Sequence, residues 1–319
     1  MQNIVILDGY TLNPGDLDWS GLEALGNVSY YDRTTISEIM ERAENAEVLI
    51  VNKLQLSRQT LEQLPKLKYI GVCATGFNNV DIEAAKELGI IVTNVRGYSS
   101  AAVAQLVFSL ILTITNHAEK HAQGVRNGKW VDSLDWCYDH ETIFELAGKT
   151  LGILGLGDIG QRVAQIGLAF GMNVIAHRKN FSKSSIDGVE LVSLSELFKR
   201  SDVLSLHCPL TTDTQGVINK ANIETMKLSA MIINTGRGGL TIEQDLADAL
   251  NEERLAAAGL DVLSAEPPTV ENPLLKAKSC YITPHQAWGA KESRERLLKG
   301  ITENLKAFLE GNPQNVVNL

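Results

Sequence analysis

The sequence of 319 residues has little cysteine, and none of it forms a pattern that builds a metal centre or a disulfide framework. The four cysteines, Cys73, Cys137, Cys208 and Cys280, lie far apart, and no pair has CxxC or zinc-type spacing. Isolated cysteines in a long chain are typical of free thiols in a reducing cytosol. We therefore expect a cytoplasmic protein without a bound metal.

Long hydrophobic runs are also missing. The longest apolar stretch, residues 101–115, contains Gln105, Ser109 and Thr113. It is shorter than the ~20 apolar residues that span a bilayer, so it predicts a buried helix. The first residues resemble the start of a strand and lack the basic segment of a secretory signal. We expect no membrane association.

Positive charge is in deficit, because the net charge is −9 at pH 7. This surplus of negative charge argues against binding to nucleic acid or to an anionic membrane surface. The expected partner is a small molecule. An anionic one would need individual arginine or lysine side chains, which makes single basic residues in the motifs below informative.

Short apolar runs and amphipathic segments alternate along almost the whole chain. The strand-like runs are residues 4–7, 48–51, 69–72, 90–93, 151–154, 173–176, 203–206, 231–233, 257–260 and 281–282. Helical patterns lie between them, for example at 35–46, 81–88 and 242–250. Apolar strands alternating with helices predict parallel sheets covered on both faces. We predict two α/β units joined by a polar and aromatic arm at residues 115–148.

The most informative stretch, TLGILGLGDIG at residues 150–160, lies in the middle of the chain. Gly155 would allow a tight turn, Gly157 would let the backbone approach a pyrophosphate, and Gly160 would let the next helix pack on the strand. The N–H groups at the start of that helix would face the phosphates. A dinucleotide site is the favoured interpretation, and a tight structural turn is the alternative.

The mid-chain position of this motif determines the predicted domains. Residues 99–286 are predicted to form the dinucleotide-binding domain. The long helical pattern at 291–309 is expected to return to the first unit. The substrate-binding domain is therefore predicted to be discontinuous, with residues 1–98 and 287–319.

Three candidate chemical groups follow strands of the second unit. Arg237 lies in Asn-Thr-Gly-Arg-Gly-Gly, Glu266 precedes two prolines, and His285 lies in Thr-Pro-His-Gln-Ala-Trp-Gly. Ligands of open α/β sheets bind beyond the carboxyl ends of strands, so these groups are placed to meet a substrate. The alternatives are a surface arginine on a glycine-rich turn and a solvent-facing carboxylate.

Together these groups fit the reduction of a carbonyl by a nicotinamide. His285 would donate the proton that the developing alkoxide needs. Glu266 would orient the imidazole ring, and Arg237 would stabilise the oxyanion and anchor a neighbouring carboxylate. In the first unit, the small residues at 72–81 would expose backbone N–H groups as a carboxylate nest, unless this is an ordinary βα loop.

In this order, the motifs resemble the D-isomer-specific 2-hydroxyacid dehydrogenases, and the resemblance covers nearly the whole chain. It is carried by residues 74–81, 145–152, 155–160, 234–238, 259–262, 266–267 and 283–285. It implies two Rossmann- and flavodoxin-like, doubly wound parallel-sheet α/β domains flanking a cleft. It also implies a homodimer built on the apolar helix after Ser99.

The resemblance further assigns residues to roles. It implies that Arg237, Glu266 and His285 are the catalytic trio, and that Cys73, Ala74, Thr75 and Gly76 bind the substrate carboxylate. Trp288, the Asn78-Asn79 pair and the aromatic arm are similar to the glycerate dehydrogenase/hydroxypyruvate reductase branch. This implies that hydroxypyruvate or glyoxylate is reduced to D-glycerate or glycolate, with Trp288 near the substrate. A tryptophan that packs at a subunit contact is the alternative.

One departure concerns the cofactor. An NAD site favours an acidic residue about 20 residues beyond the first glycine, yet the strand at 173–176 is followed by His177, Arg178 and Lys179. A cationic group there would accept the 2′-phosphate of NADP, so we favour NADP(H) over NAD(H). The predicted cofactor-binding residues are Gly155, Gly157, Asp158, Ile159, Gly160, His177, Arg178, Lys179, His207, Cys208, Pro209, Thr235, Gly236 and Asp261.

Two other classes of protein use a similar glycine-rich turn. A nucleotide-sensing corepressor of the same fold would bind the dinucleotide without turnover, and the complete set of Arg237, Glu266 and His285 argues against it. In a methyltransferase, Arg237 and His285 would have no role in the reaction. The favoured interpretation is therefore an NAD(P)-dependent oxidoreductase that acts on 2-ketoacids.

Overall fold

A computed structural model describes residues 2–138, 142–179 and 186–319 of the chain. The chain divides into two compact units. The first contains Met1–Ser99 and Gly289–Leu319, and the second contains Ser100–Trp288. The predicted boundaries, after residue 98 and before residue 287, lie one and two residues from these divisions.

The first unit contains a sheet of five parallel strands within its described residues. The strands are β1 (Gln2–Ile6), β2 (Gly26–Tyr30), β3 (Val48–Val51), β4 (Tyr69–Val72) and β5 (Ile91–Thr93). Its helices are α1 (Ser20–Glu23), α2 (Ile39–Ala43), α3 (Arg58–Glu62), α4 (Ile82–Glu87) and, from the end of the chain, α11 (Lys291–Leu309). The strand order, β2-β1-β3-β4-β5, is that of flavodoxin.

The second unit contains a sheet of seven parallel strands among the residues that the structure describes. These are β6 (Thr150–Leu154), β7 (Asn173–His177), β8 (Val189–Leu191), β9 (Val203–Leu206), β10 (Met231–Asn234), β11 (Ala257–Leu260) and β12 (Cys280–Ile282). The helices are α5 (Ser100–Asn116), α6 (Ala118–Arg126), α7 (Asp158–Ala169), α8 (Leu194–Arg200), α9 (Lys220–Ile223) and α10 (Glu243–Asn251). The order β12-β11-β10-β9-β6-β7-β8 is the Rossmann order extended by one strand.

Alternating side chains of the second sheet enter two cores, one on each face. On β10, Met231 and Ile233 pack with the apolar side of α5, whereas Ile232 packs with residues of α8 and α10. Both faces are buried, which explains why the strands are nearly continuous apolar runs. The predicted fold class, two doubly wound parallel-sheet α/β domains, is confirmed.

The structure differs from the sequence-based prediction in polar segments. Strands β2 and β8 were not predicted, because both lie at sheet edges and carry exposed polar residues. The arm at 115–148 contains the helix α6, and residues 139–141 of the arm lie outside the described residues. The predicted helix at 35–46 is a 3-10 turn, Ile36–Glu38, followed by the short helix α2.

In the described part of the chain, no single helix has the length and apolar character needed to cross a bilayer. By length and composition alone, α5 and α6 pass that test as a pair, but they are bent by 55°.

Tight packing of α8 on β6 yields a test of the fold. A Cβ atom on Gly152 would lie 1.9 Å from Oγ of Ser201, a buried residue whose hydroxyl donates to the carbonyl oxygen of Leu197. Gly152→Ala therefore overpacks the core and should lower the free energy of unfolding by about 1–3 kcal/mol. Denaturant unfolding measures the loss.

The matched control is Ser201→Ala, which removes the Oγ atom that a Cβ on residue 152 would meet. The distance between the two Cβ atoms is then 3.1 Å. The double variant Gly152→Ala/Ser201→Ala should recover part of the stability that Gly152→Ala loses, because neighbouring substitutions couple. Purely additive losses would contradict the packing described here.

Candidate active site

The candidate residues of the second unit lie along one edge of its sheet. Because all its strands are parallel, the loops that follow them leave from the same edge. In spatial order along that edge, the loops carry His285 after β12, Asp261 after β11, Arg237 after β10, His207 after β9, Gly155 after β6 and Arg178 after β7. Strands are spaced about 4.8 Å apart, so the edge from β7 to β10 spans about 14 Å.

Gly155 makes the turn after β6, and no other residue fits there. Its φ is +99°, and an added Cβ would lie 2.5 Å from the backbone nitrogen of Cys208. Its N–H donates to the carbonyl oxygen of His177, which joins the ends of β6 and β7. The glycine therefore brings the loops after β6, β7 and β9 together.

The start of α7 has the properties of a phosphate site. The backbone N–H groups of Gly157, Asp158 and Ile159 have no acceptor among the described residues, and anions bind readily at such a helix N-terminus. A Cβ on Gly157 would meet open space, so a ligand can approach the backbone. Gly160 packs on the turn, since its Cβ would lie 2.1 Å from the carbonyl oxygen of Gly155.

The loops after β9 and β10 complete this surface. Thr235 is buried, and its Oγ1 has no partner among the described residues, which leaves it available to a ligand. Nε2 of His207 and the buried Ser205 hydroxyl are hydrogen-bonded at 2.8 Å, and burial lowers the pKa of His207 to about 4. His207 is therefore uncharged near neutral pH and is not a proton donor there. Burial also raises the pKa of the Cys208 thiol to about 11.

The loop after β7 is basic. Arg178 is half-buried and has no ion pair among the residues described, whereas the exposed Lys179 pairs with Asp213 at 3.0 Å. Nδ1 of His177 lies 3.0 Å from the carbonyl oxygen of Val192, so this ring supports the loop. Arg178 is therefore the available cation at the β7 end of the edge. Together with the glycine turn and Thr235, these features fit a phosphorylated dinucleotide.

Asn234 shapes the turn that presents Arg237. The buried Asn234 side chain donates to the carbonyl oxygen of Arg237 at 2.9 Å and accepts from the N–H of Gly236 at 3.0 Å. The Arg237 guanidinium is exposed, and it has no carboxylate partner in the described part of the chain. It is free to bind an anionic or polarised oxygen.

Gly238 joins the Arg237 turn to the loop that carries Glu266. A Cβ on Gly238 would lie 1.9 Å from the carbonyl carbon of Leu263, so only glycine allows this contact. The N–H of Leu263 then donates to Oε1 of Glu266 at 3.0 Å. Asn234 and Gly238 were not predicted as site residues, because a buried turn asparagine and a packing glycine have no chemical signature of their own.

His285 and Glu266 form a hydrogen-bonded pair. Nδ1 of His285 lies 2.5 Å from Oε2 of Glu266, and both side chains are partly exposed. Nε2 of His285 has no partner among the described residues. The carboxylate therefore holds one ring nitrogen and leaves the other to exchange a proton with a ligand.

The loop that carries His285 has a strained backbone, and Asp261 holds it. His285 has φ of +51°, in the left-handed region that few non-glycine residues occupy. The buried Asp261 carboxylate accepts hydrogen bonds from the Thr283 hydroxyl and from the N–H groups of Gln286 and Ala287, at 2.6, 2.9 and 2.8 Å. Asp261, predicted to bind the cofactor, thus directs its carboxylate at this loop.

Trp288 also supports the His285 loop. Its indole N–H donates to the carbonyl oxygen of His285 at 3.0 Å. The structure therefore gives the predicted substrate residue Trp288 a contact with the backbone of the candidate acid. Trp288 is only three residues beyond His285, so the contact is local, but the sequence alone did not predict it.

The predicted carboxylate nest lies in the first unit, after β4. Cys73 is buried, and burial raises the pKa of its thiol well above the usual value. The backbone N–H groups of Thr75, Gly76 and Phe77 have no acceptor among the described residues. Consecutive free N–H groups of this kind suit an anion.

Comparison with known proteins identifies the chain. Residues 108–287 match the family model described as "D-isomer specific 2-hydroxyacid dehydrogenase, NAD binding domain". The chain is 48% identical to a hydroxypyruvate reductase of Blautia hydrogenotrophica, over 99% of this chain and 100% of that protein. It is 41% identical to a glycerate dehydrogenase of Methylorubrum extorquens, over 90% of each chain.

Solved structures agree with these matches. An acyclic imino acid reductase in complex with NADPH and D-Arg superposes with a TM-score of 0.86 at 31% identity, over 99% of both chains. The comparisons give no support to the corepressor alternative. They confirm the predicted family, the nicotinamide cofactor and the hydride transfer between a 2-ketoacid and a D-2-hydroxyacid. The chain belongs to the D-isomer-specific 2-hydroxyacid dehydrogenase family.

Proposed function

We propose that the protein reduces hydroxypyruvate or glyoxylate to D-glycerate or glycolate, with Arg237, Glu266 and His285 as its catalytic residues. The observation that carries this proposal is the Glu266–His285 pair, whose free Nε2 shares a sheet edge with the unpaired Arg237. The names of the two relatives, hydroxypyruvate reductase and glycerate dehydrogenase, support the substrate class.

His285 is the proton donor in this proposal. A reduced nicotinamide, held by residues such as Gly157 and Thr235, would supply the hydride that the carbonyl carbon needs. Nε2 of the His285 imidazolium gives its proton to the carbonyl oxygen, which becomes the hydroxyl of the product. Glu266 holds Nδ1 at 2.5 Å, which fixes the orientation of the ring.

Arg237 and the loop after β4 bind the anionic parts of the substrate. The exposed guanidinium of Arg237 stabilises the negative charge that develops on the carbonyl oxygen and contributes to carboxylate binding. The backbone N–H groups of Thr75 and Gly76 bind the carboxylate, in a loop with Cys73 and Ala74. Trp288 lies near the substrate and keeps the His285 backbone in place.

Arg178 supports a preference for NADP(H) over NAD(H). It follows β7, where enzymes that use NAD carry an acidic residue for the ribose 2′-hydroxyl. Its guanidinium is half-buried and unpaired among the described residues, whereas Lys179 is exposed and pairs with Asp213. A phosphate on the ribose suits the unpaired guanidinium of Arg178.

We further propose a homodimer that covers the apolar side of the second unit. A cavity of about 1240 Å³ lies beside α5, α6 and α7 and is lined by Phe108, Leu112 and Ile166. In the arm, Leu134 and Trp136 are almost fully exposed. Exposed apolar side chains beside an apolar groove are typical of a surface that another chain covers. A monomeric mass in sedimentation equilibrium would contradict the dimer.

The direct test follows the absorbance of reduced nicotinamide with hydroxypyruvate, glyoxylate, pyruvate and phenylpyruvate, each with NADPH and with NADH. We expect the highest kcat/KM with hydroxypyruvate or glyoxylate and NADPH. A bulkier ketoacid as the best substrate would overturn the substrate assignment and leave the acid-base pair intact. Failure to reduce any ketoacid would overturn the whole proposal.

His285→Ala should lower kcat by about 10²–10⁴, the usual contribution of a positioned general acid. The Kd for NADPH, measured by calorimetry, should stay close to the wild-type value, because the ring faces Glu266 and the substrate side. Glu266→Gln is the matched variant, since the amide is similar in size but removes the charge beside the ring. Full activity of His285→Ala would remove His285 from the mechanism.

Arg178→Asp should shift the ratio of kcat/KM from NADPH toward NADH, because a carboxylate repels a 2′-phosphate and accepts hydrogen bonds from ribose hydroxyls. The control is Lys199→Asp, at an exposed side chain of α8, which makes the same change in net charge. An unchanged ratio in Arg178→Asp would mean that other residues recognise the 2′-phosphate.

A further inference from the structure

The loop after β4 depends on the residues that follow β5 for its conformation. Val95 donates its N–H to the carbonyl oxygen of Ala74 at 3.1 Å. The side-chain Nδ2 of Asn94 donates to the carbonyl oxygen of Thr75 at 2.6 Å. The Thr75 hydroxyl donates to the carbonyl oxygen of Val95 at 3.0 Å. Two consecutive carbonyl oxygens of the loop are thus bound on the same side.

Because peptide units are planar, these hydrogen bonds fix the direction in which the N–H groups of the loop point. In a planar trans peptide the C=O and the N–H of the same unit point in opposite directions. The carbonyl oxygen of Ala74 shares its peptide with the N–H of Thr75, and that of Thr75 shares its peptide with the N–H of Gly76. The Val95 N–H therefore directs the Thr75 N–H away from β5, and the Asn94 side chain does the same for the Gly76 N–H.

The side-chain oxygen of Asn94 is buried and accepts no hydrogen bond from the described residues. Asn94 is only 1% exposed, and its Oδ1 has no partner among the described residues. A buried unsatisfied acceptor destabilises a fold, so an asparagine here is poorly explained by stability alone. The Nδ2–Thr75 bond is the function that remains for this side chain.

A second set of asparagines fixes the backbone of Asn94. Asn304 of α11 donates its Nδ2 to the carbonyl oxygen of Asn94 at 2.9 Å, and the N–H of Asn94 donates to the carbonyl oxygen of Asn315 at 3.3 Å. Nδ2 of Asn315 in turn donates to Oδ1 of Asn304 at 2.7 Å. Helix α11 and the C-terminal segment thereby hold Asn94 in place beneath the loop.

We infer that Asn94 is a positioning residue for substrate binding, which acts by turning the Gly76 N–H toward the substrate carboxylate. The inference rests on the proposed function, because it assumes that the loop after β4 binds that carboxylate. Asn94 itself does not touch the substrate. Without its side chain the Thr75–Gly76 peptide is free to rotate, and one N–H donor is lost from the nest.

The test compares Asn94→Ala and Asn94→Ser with Asn318→Ala. Asn318 is a matched control: it is also buried, accepts from the N–H of Val92 and donates to the carbonyl oxygen of Ile90, so it holds the same edge strand, β5, away from the loop. For each variant we would measure Tm, the Kd for NADPH, the KM and kcat for hydroxypyruvate, and the inhibition constant of oxalate.

We expect both Asn94 variants to raise the KM and the oxalate inhibition constant by about 10- to 100-fold, the contribution of one hydrogen bond to a charged group. The Kd for NADPH should not change. Asn318→Ala should lower Tm and leave both ligand constants close to wild type. If Asn94→Ala fails to fold, Asn94→Ser supplies the result.

The outcomes separate the inference from the proposed function. Wild-type protein that turns over no ketoacid would overturn the proposed function and, with it, this inference. If the wild type is active and the Asn94 variants change Tm without changing either ligand constant, as Asn318→Ala does, then Asn94 is merely structural. That result would overturn the inference alone.

Discussion

The candidate active site depends on one constraint: every strand of the second sheet runs in the same direction. The loops after β12, β11, β10, β9, β6 and β7 therefore leave from a single edge, and groups that are far apart in sequence become neighbours. The order of the strands in the sheet, rather than their order along the chain, decides which of these groups are neighbours. The Glu266–His285 pair and Arg237 lie toward β12, and Arg178 lies at β7, on the other side of the turn after β6.

Within this arrangement, a few buried groups convert a sheet edge into a rigid site. Asp261 accepts hydrogen bonds from Thr283, Gln286 and Ala287 and so holds His285 in a left-handed conformation that it would otherwise seldom adopt. Asn234 and Gly238 hold the neighbouring turn in an equivalent way. In the first unit, Asn94 holds the loop after β4 through a hydrogen bond to the carbonyl oxygen of Thr75. In each case the supporting residue is more buried than the candidate site residue that it holds.

The fold could be predicted from sequence wherever burial on both faces of a strand forced a continuous apolar run. Strands β3, β4, β9 and β11 were predicted with their observed bounds. The edge strands β2 and β8 could not be found in this way, because an edge strand keeps one side in solvent and tolerates polar residues. Helix α6 was missed because most of its nine residues are polar or charged, so no apolar run marks it in the sequence.

The sequence by itself determined the kind of chemistry: a glycine turn between strand and helix, and an arginine, a glutamate and a histidine that each follow a strand. Residue type and local spacing are enough for this, because a βα turn and a strand end are local structures. Only the tertiary structure decided which partners the site residues have. Glu266 is hydrogen-bonded to Nδ1 of His285, and Asp261 accepts hydrogen bonds from the loop of that histidine. Asn94 donates a hydrogen bond to the loop after β4. These contacts join residues from different strands, and their partners are chosen by strand order and packing, which no local pattern encodes.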